Sequence, residues 1–394
     1  MSRYRLMPTL SQEAVLREHC AHARFVWNLA VEQQSWWKLG RKSAPGYLEQ
    51  CRQLTVARAE NDWLRAGSQT VQQQALRDFD QAMRYFFAGT HRRPTWRKRS
   101  VHDSFRIVAV RPQHVRRLNR KVGEAWVPKA GWVRFRWSRV VPGARSYRIT
   151  CDRAGRWHVA FAAVPPTIPG PGTGEVAGVD RGVAVSAALS TGELLTVPRL
   201  SPGRRRRLLL LQRKLARARR GSNRRARVKL AAARLKARDA DARKDWCEKL
   251  STDLARRFDV IRVEDLKVSG MTRSARGTVA RPGRNVRQKA GLNREIARSG
   301  WGQLVTRLEQ KAPGRVQKVN PAYTSQRCSA CGHVDRESRE SQAGFRCTAC
   351  GFAGNADVNA AINIAAGHAA NARGGDRVAG PVKREPQHGG LRVA

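Results

Sequence analysis

Four cysteines stand in two Cys-x-x-Cys pairs, Cys328/Cys331 and Cys347/Cys350, with fifteen residues between the pairs. Each pair makes a tight knuckle that aims two sulfurs at one point. Two knuckles supply the four thiolates of a tetrahedral zinc site. Gly332 and Gly351 follow the second cysteine of each pair, where the knuckle turn favours a positive φ. Four protein ligands leave no open coordination position, so one structural Zn²⁺ is expected, with neighbouring His333 a surface residue. Carboxylates on apolar segments form the second set. Asp180 sits in the apolar run Val176–Val183, where a desolvated charge is costly unless a cation or a partner such as Arg181 offsets it. Glu264 and Asp265 end the run Asp259–Val263, and strand ends are where open sheets place ligands. Adjacent strand residues face opposite ways, so only one of that pair can join Asp180. Asp357 opens the helical run Asn355–Ile364. There Asn355 suits an N-cap, and the small apolar turn after Asp357 suits packing on a sheet. Several carboxylates at one spot would hold two divalent cations a few ångströms apart, the arrangement that hydrolyses phosphodiesters.

Composition indicates the partner. Lys and Arg number 77 against 30 Asp and Glu in 394 residues, a net charge of +47. Such an excess repels itself unless a polyanion shares the surface; nucleic acid is the polyanion expected, with an anionic membrane as the rival. No run of some 18 apolar residues exists to span a bilayer. Met1–Arg5 leads into no long apolar core, so no membrane span or signal peptide is expected and the protein is placed in the cytoplasm. Cys20, Cys51, Cys151 and Cys247 are scattered and read as buried, inert thiols.

The elements that must position these residues fall into three regions. Thr9 and Gln12 suggest a capping box opening a helix over 9–37, whose apolar stripe includes Leu16, Ala23, Val26 and Trp27. A second helix is expected over 69–87, with Trp63-Leu64 between as a core contact. Period-two runs at 104–110, 131–137 and 156–161 then indicate a β region, expected to be a barrel, closed by a Pro/Gly linker at 165–172. The third region alternates strands (176–190, 194–197, 259–263, 315–319) with a basic helical pair over 204–258, broken at Gly221-Ser222-Asn223. A basic loop over 271–290 and a helix near 301–311 follow. Trp36, Trp37, Trp96, Trp132 and Trp137 stand among basic residues and offer stacking faces for bases, although core packing is the expectation for most of them.

Together these segments resemble the TnpB (OrfB) proteins of bacterial insertion sequences, relatives of the type V CRISPR effectors. Gly178-Val179-Asp180-Arg181-Gly182-Val183 is similar to the first RuvC motif, and Val263-Glu264-Asp265-Leu266-Lys267 opens a run similar to the second. The stretch Asn320–His333, through Phe345-Arg346-Cys347 to Asn355–Ala361, resembles the zinc ribbon inserted before the third motif. Phe25-Val26-Trp27-Asn28 and Arg93–Arg99 also resemble the family. The resemblance implies catalytic, magnesium-binding acids at Asp180, Glu264 and Asp357, which selects Glu264 over Asp265. Arg181 departs from the apolar residue or proline of many relatives; it would help neutralise Asp180 or touch a phosphate.

The implied fold is multidomain α+β: a β-barrel wedge domain with an inserted helical recognition domain, then an RNase H-like (RuvC) α/β domain with an inserted zinc ribbon. The expected bounds are 1–8 for a first wedge strand, 9–100 for the recognition domain and 101–170 for the wedge. The RuvC-like domain follows over 171–325, the ribbon over 326–353, the last RuvC helix over 354–370, and a disordered basic tail over 371–394. The implied activity is RNA-guided cutting of DNA with two Mg²⁺ (or Mn²⁺) ions. The implied partners are a guide RNA from the element's end and double-stranded target DNA, met by a monomer at the bacterial nucleoid. Candidate phosphate contacts are Arg97, Lys98, Arg99, Arg204, Arg205, Arg213, Lys214 and Arg217, the last five on the basic helical pair, whose other reading is a solvated face. A guide-free nuclease or transposase-accessory protein of the same fold, or a non-cutting regulator, would carry much the same residues.

Overall fold

A computed structural model describes residues 2–36, 44–163 and 166–367. Trp37 and the tail expected over 371–394 lie outside the described residues. The chain divides into two compact units. The first gathers the described residues of Met1–Ile168 and Pro198–Thr252, the second those of Pro169–Val197 and Asp253–Ala394.

In the first unit, β1 (Ser2–Arg5) precedes four helices: α1 (Leu10–Ser35), α2 (Tyr47–Glu60), α3 (Asp62–Ala66) and α4 (Gln69–Phe87). The capping box is formed: Gln12 N donates to Thr9 Oγ1 at 3.2 Å, and Thr9 N donates to Gln12 Oε1 at 3.1 Å. The α1 stripe is buried at Leu16, Ala23, Val26 and Trp27, and α4 buries Val71, Ala75, Phe79 and Met83. Six strands follow: β2 (Ser104–Val108), β3 (Val115–Arg117), β4 (Val122–Val127), β5 (Gly131–Arg136), β6 (Ser146–Cys151) and β7 (Trp157–Phe161). They form two antiparallel sheets, β1-β7-β6-β2 and β3-β4-β5, linked by a bridge between Leu6 and Phe135. The two sheets and the helices share one core.

The basic helices α5 (Pro202–Arg217) and α6 (Asn223–Arg257) pack through Leu200, Leu208, Ala232 and Leu235. The expected bounds put this pair in the nuclease domain, whereas the structure groups 198–252 with the first unit. A physical reason is the ion pair of Arg156, beside β7, with Asp241 of α6, at 2.5 Å. Cys20 and Cys247 are buried; Cys51 and Cys151 are half-buried, because each lies near the rim of its element.

In the second unit, β8 (Val176–Asp180), β9 (Ala187–Leu189), β10 (Leu194–Leu195), β11 (Val260–Glu264) and β12 (Val316–Val319) form a sheet of order β10-β9-β8-β11-β12. β8, β11 and β12 are parallel, and β9 and β10 add antiparallel. Between β11 and β12 lie α7 (Val268–Met271), α8 (Val286–Ser299) and α9 (Trp301–Lys311). The sequence reading saw α9 but took the start of α8 for loop, because its first turns are basic and only Ile296 and Ser299 are buried. The hairpin β13 (Gly344–Arg346) and β14 (Ala353–Asn355) leads into α10 (Ala356–Ala366), which packs on β8.

That packing is set by a missing side chain. A Cβ on Gly178 of β8 would overlap the carbonyl oxygen of Ala361 and the nitrogen of Ala365, so the α10 backbone lies directly on the strand. Gly178→Ala must therefore displace α10. It should destabilise the second unit by about 1–3 kcal/mol or more, as overpacked cores do. Gly302→Ala on α9, where a Cβ meets nothing within 4 Å, should be neutral or slightly stabilising. Urea unfolding of the two variants checks this; equal midpoints would show that α10 is not seated by contact at Gly178.

Candidate metal and nucleic-acid sites

The acids converge through strand register and helix seating. Val179 pairs with Val263 in the parallel β8–β11 ladder, so Asp180 and Glu264 end neighbouring strands at the same level. Asp357 lies one helical turn before Ala361, and Asp180 lies two strand residues past Gly178. Both steps are roughly 6 Å, so a helix seated on Gly178 with its N-terminus toward the strand ends brings Asp357 over Asp180. Asn355 is the N-cap of α10, its Oδ1 accepting from Asp357 N at 3.0 Å and Val358 N at 3.1 Å. Glu264 is 8% exposed, whereas Asp265 is exposed.

The cluster is electrostatically strained. Enclosure by protein, then the charges of Glu264 and Asp357, push the Asp180 carboxyl up to about 7. Burial raises Glu264 as well, against a hydrogen bond from Thr324 Oγ1 to its Oε1 at 2.7 Å and the nearby Arg181 charge. Burial raises Asp357 against Arg339, whose Nη2 lies 3.4 Å from its Oδ1. Arg181 is 5% exposed and donates to the backbone carbonyl of Glu264. So buried, it is not placed to reach a phosphate. Its charge lies near Asp180 and Glu264, but its hydrogen bond goes to the backbone. The carboxylates do not close on one point. Among the described residues, the one group of three or more His, Cys, Asp or Glu ligand atoms lying within 4.8 Å of each other is the cysteine set. Three acids raised by burial, with Asp180 raised further by the charges of the other two, yet standing apart, fit a shared pair of divalent cations, whose charge would favour the ionised forms.

The cysteines fit zinc in detail. Cys328 and Cys350 Sγ atoms are 3.8 Å apart, and those of Cys331 and Cys347 are 3.6 Å apart. A tetrahedron with Zn–S near 2.3 Å has edges of about 3.8 Å. The two knuckles are the same turn: Cys328 N donates to His333 O and Cys347 N to Phe352 O, both at 2.8 Å. Gly332 and Gly351 take φ of 78° and 73°. Backbone N–H groups, that of Cys350 foremost, pull the Cys347 thiol down to about 6, while, against the backbone N–H of Phe352, the neighbouring sulfurs push Cys350 up.

Sequence reasoning missed the residues that bind the ribbon to the acids. Asn359 Nδ2 donates to Arg327 O at 2.7 Å while its Oδ1 accepts from Ser329 N at 2.9 Å. Asn363 Nδ2 donates to Thr324 O at 3.0 Å. Both side chains are almost fully buried. Asparagine recurring at i and i+4 on an apolar helix was the available signal. Of the candidate phosphate contacts, Lys98, Arg99, Arg204, Arg205, Arg213, Lys214 and Arg217 are exposed. Arg97 differs: its guanidinium lies 3.5 Å over the Trp27 ring, and burial lowers it to about 10. Trp36 and Trp96 are exposed rather than packed, and Trp132 and Trp137 are half-buried. No helix among the described residues is long and apolar enough to cross a membrane.

With this geometry in hand, three family models match the sequence: a helix-turn-helix domain of the OrfB (IS605) group at residues 2–42, the OrfB (IS605) probable transposase at 159–275, and the Cas12f1-like TNB domain at 301–364. The chain belongs to the TnpB (OrfB) family of insertion-sequence proteins. It is 37% identical over 396 residues to a protein of Escherichia coli (strain K12) described as "Putative RNA-guided DNA endonuclease InsQ", covering 98% of this chain and 96% of that one. A Streptomyces pristinaespiralis protein with the same description, lacking the last word, is 32% identical over 94% of this chain and 90% of its own length. The fold is similar to that of the Cas12f1 protein solved by cryo-EM in a Cas12f1-sgRNA-target DNA complex. That match has a TM-score of 0.54 and 15% identity, over 91% of this chain and 83% of that one.

The raised carboxyl of Asp180 gives a pH test. Its unfolded value is about 3.9, and its folded value is about 7. Between these, the folded chain keeps a proton that the unfolded chain has released. Stability without added divalent metal therefore falls as pH rises from about 4 to 7. Asp180→Asn should remove this loss, so its stability advantage over wild type should grow with pH in urea melts. Parallel pH profiles would contradict the assignment.

Proposed function

We propose that this chain is an RNA-guided DNA endonuclease that hydrolyses target phosphodiesters at Asp180, Glu264 and Asp357. The observation that carries the reading is the convergence of these three acids at neighbouring strand ends and a helix start, where burial raises all three carboxyls and the charges of Glu264 and Asp357 raise Asp180 further. The +47 charge supports a polyanionic partner larger than a single duplex contact.

Asp180, Glu264 and Asp357 would hold two Mg²⁺ or Mn²⁺ ions. Bound there, the pair would supply an activated water and stabilise the leaving oxygen. Thr324 orients the Glu264 carboxylate through its 2.7 Å hydrogen bond. Arg181 fixes the Glu264 backbone and adds positive charge beside the acids. Arg339, its Nη2 3.4 Å from Asp357 Oδ1, would share that carboxylate with a bound cation. Sequence would be read by base pairing of a guide RNA from the element's end, while the protein reads duplex beside the target and holds the heteroduplex by its backbone.

In this reading the first unit supplies the wedge and recognition elements, and the second is an RNase H-like (RuvC) domain whose ribbon carries one structural Zn²⁺. The complex works as a monomer on one guide, in the cytoplasm at the bacterial nucleoid.

Two measurements test this. RNA co-purifying with the protein, expressed beside its native flanking DNA, should be one discrete species with a constant structured part and a 3′ end running past the element boundary. Programmed with that RNA, wild type should cut matching DNA. Asp180→Ala should lose on the order of a thousandfold or more in rate while binding the RNA as wild type does. Bulk RNA of no fixed sequence, or equal cutting by both proteins, would overturn the proposal.

A further inference from the structure

A second site lies in the first unit, away from the acids in the sequence. Trp27 Nε1 donates to Thr95 O at 2.9 Å, and Asn28 spends both ends of its amide on Arg97, accepting from its N at 2.7 Å and donating to its O at 3.1 Å. These bonds strap residues 95–97 across α1 and leave Trp96 between them, 51% exposed. Phe25 of α1 and Trp63 of α3 stand nearby in an edge-to-face pair, 5.0 Å between centroids, and are 42% and 45% exposed. Phe25, Trp63 and Trp96 line a pocket of about 370 Å³.

Three large aromatic side chains half-open to water around one hollow are costly unless something covers them. The polar groups of the lining decide what. Asn28 is committed to the strap, and Arg24 is paired with Asp103 at 2.7 Å. Apart from the Glu32 carboxylate, little remains to read a base edge, whereas π faces stack on any base. Glu32, the lining carboxylate, disfavours a phosphate inside. Arg92, Lys98 and Arg99, flanking Trp96 in sequence, are exposed and able to hold phosphates outside.

We propose that this pocket takes an unpaired nucleobase of the displaced strand of the target DNA, stacked on Trp96 and held without regard to its identity. The inference rests on the guided reading above. A guide that pairs with one strand leaves the other single, and its sequence changes with every target. A sequence-blind aromatic site flanked by basic residues suits that strand better than a guide scaffold of constant sequence.

The test uses the full chain assembled with its guide RNA on target duplexes carrying 2-aminopurine at successive positions of the displaced strand. Stacking on an indole quenches this base. One or two adjacent positions should be quenched in the wild-type complex and restored toward free single-strand brightness in Trp96→Ala, with Trp96→Phe retaining more of the strand than Trp96→Ala does. Trp63→Ala, elsewhere in the lining, should weaken retention of the strand roughly 5-fold or more. Unchanged melting of the variants and unchanged guide-dependent gel shifts would separate loss of the pocket from loss of the fold. A guide-dependent complex in which no position responds to Trp96 overturns this inference alone. So does a response confined to 2-aminopurine placed in the RNA, which makes the guide the occupant. A wild-type chain that forms no guide-dependent complex on the gel overturns the guided reading and this inference with it.

Discussion

The backbone of α10 rests on the backbone of β8 at Gly178, and the working parts of the second unit depend on that contact. Any side chain at this position would hold the helix off the sheet. With the helix down, Asp357 enters the space above the ends of β8 and β11, already occupied by Asp180 and Glu264. Three carboxylates are thereby forced into partial burial near one another, and each carboxyl is raised as a result. The protein supplies too little counter-charge to relax them. Arg181 is turned to a backbone carbonyl, and Arg339 touches one oxygen of one acid. The cluster is left short of positive charge at the ends of β8 and β11.

The cysteine ribbon fixes the other coordinate of α10. The chain runs from the second knuckle through β14 to Asn355, which caps the helix, and only then to Asp357. Asn359 and Asn363 then fasten the helix to the segment entering the first knuckle. Thr324, in that same entry segment, holds Glu264. A metal closing the four thiolates would therefore tie together segments that touch two of the three acids. This is how a site with no open coordination position can matter to chemistry: it acts on the pose of α10 and on Thr324, not on the substrate.

Much of this was legible in the sequence because the relevant constraints are local. Cys-x-x-Cys spacing encodes a knuckle whatever surrounds it, and a capping box closes within four residues. An acid in an apolar strand is conspicuous because burying it is costly. Less legible were features fixed by distant partners. The helix α2 went unread because it is only weakly amphipathic, burying just Gln50 and Leu54. Strand β4 went unread because Gly123 and Glu124 break its apolar alternation, and β6 went unread although Tyr147 and Ile149 alternate with Arg148 and Thr150; Glu124 is buried through its ion pair with Arg116. Arg97 read as a phosphate ligand because nothing local reveals the Trp27 ring beneath it. The choice of Glu264 over Asp265 came from the family resemblance; the structure adds that Glu264 is buried and Asp265 exposed.

The central claim is that Asp180, Glu264 and Asp357 form one cation-binding site created by the seating of α10. Electron paramagnetic resonance of the zinc-loaded protein titrated with Mn²⁺ tests it most directly. The account predicts a spin-coupled pair of Mn²⁺ ions per chain, reduced to weak uncoupled binding in Asp180→Ala, Glu264→Ala and Asp357→Ala alike. Uncoupled Mn²⁺ in the wild type, or coupling that survives loss of any one of the three acids, would contradict it.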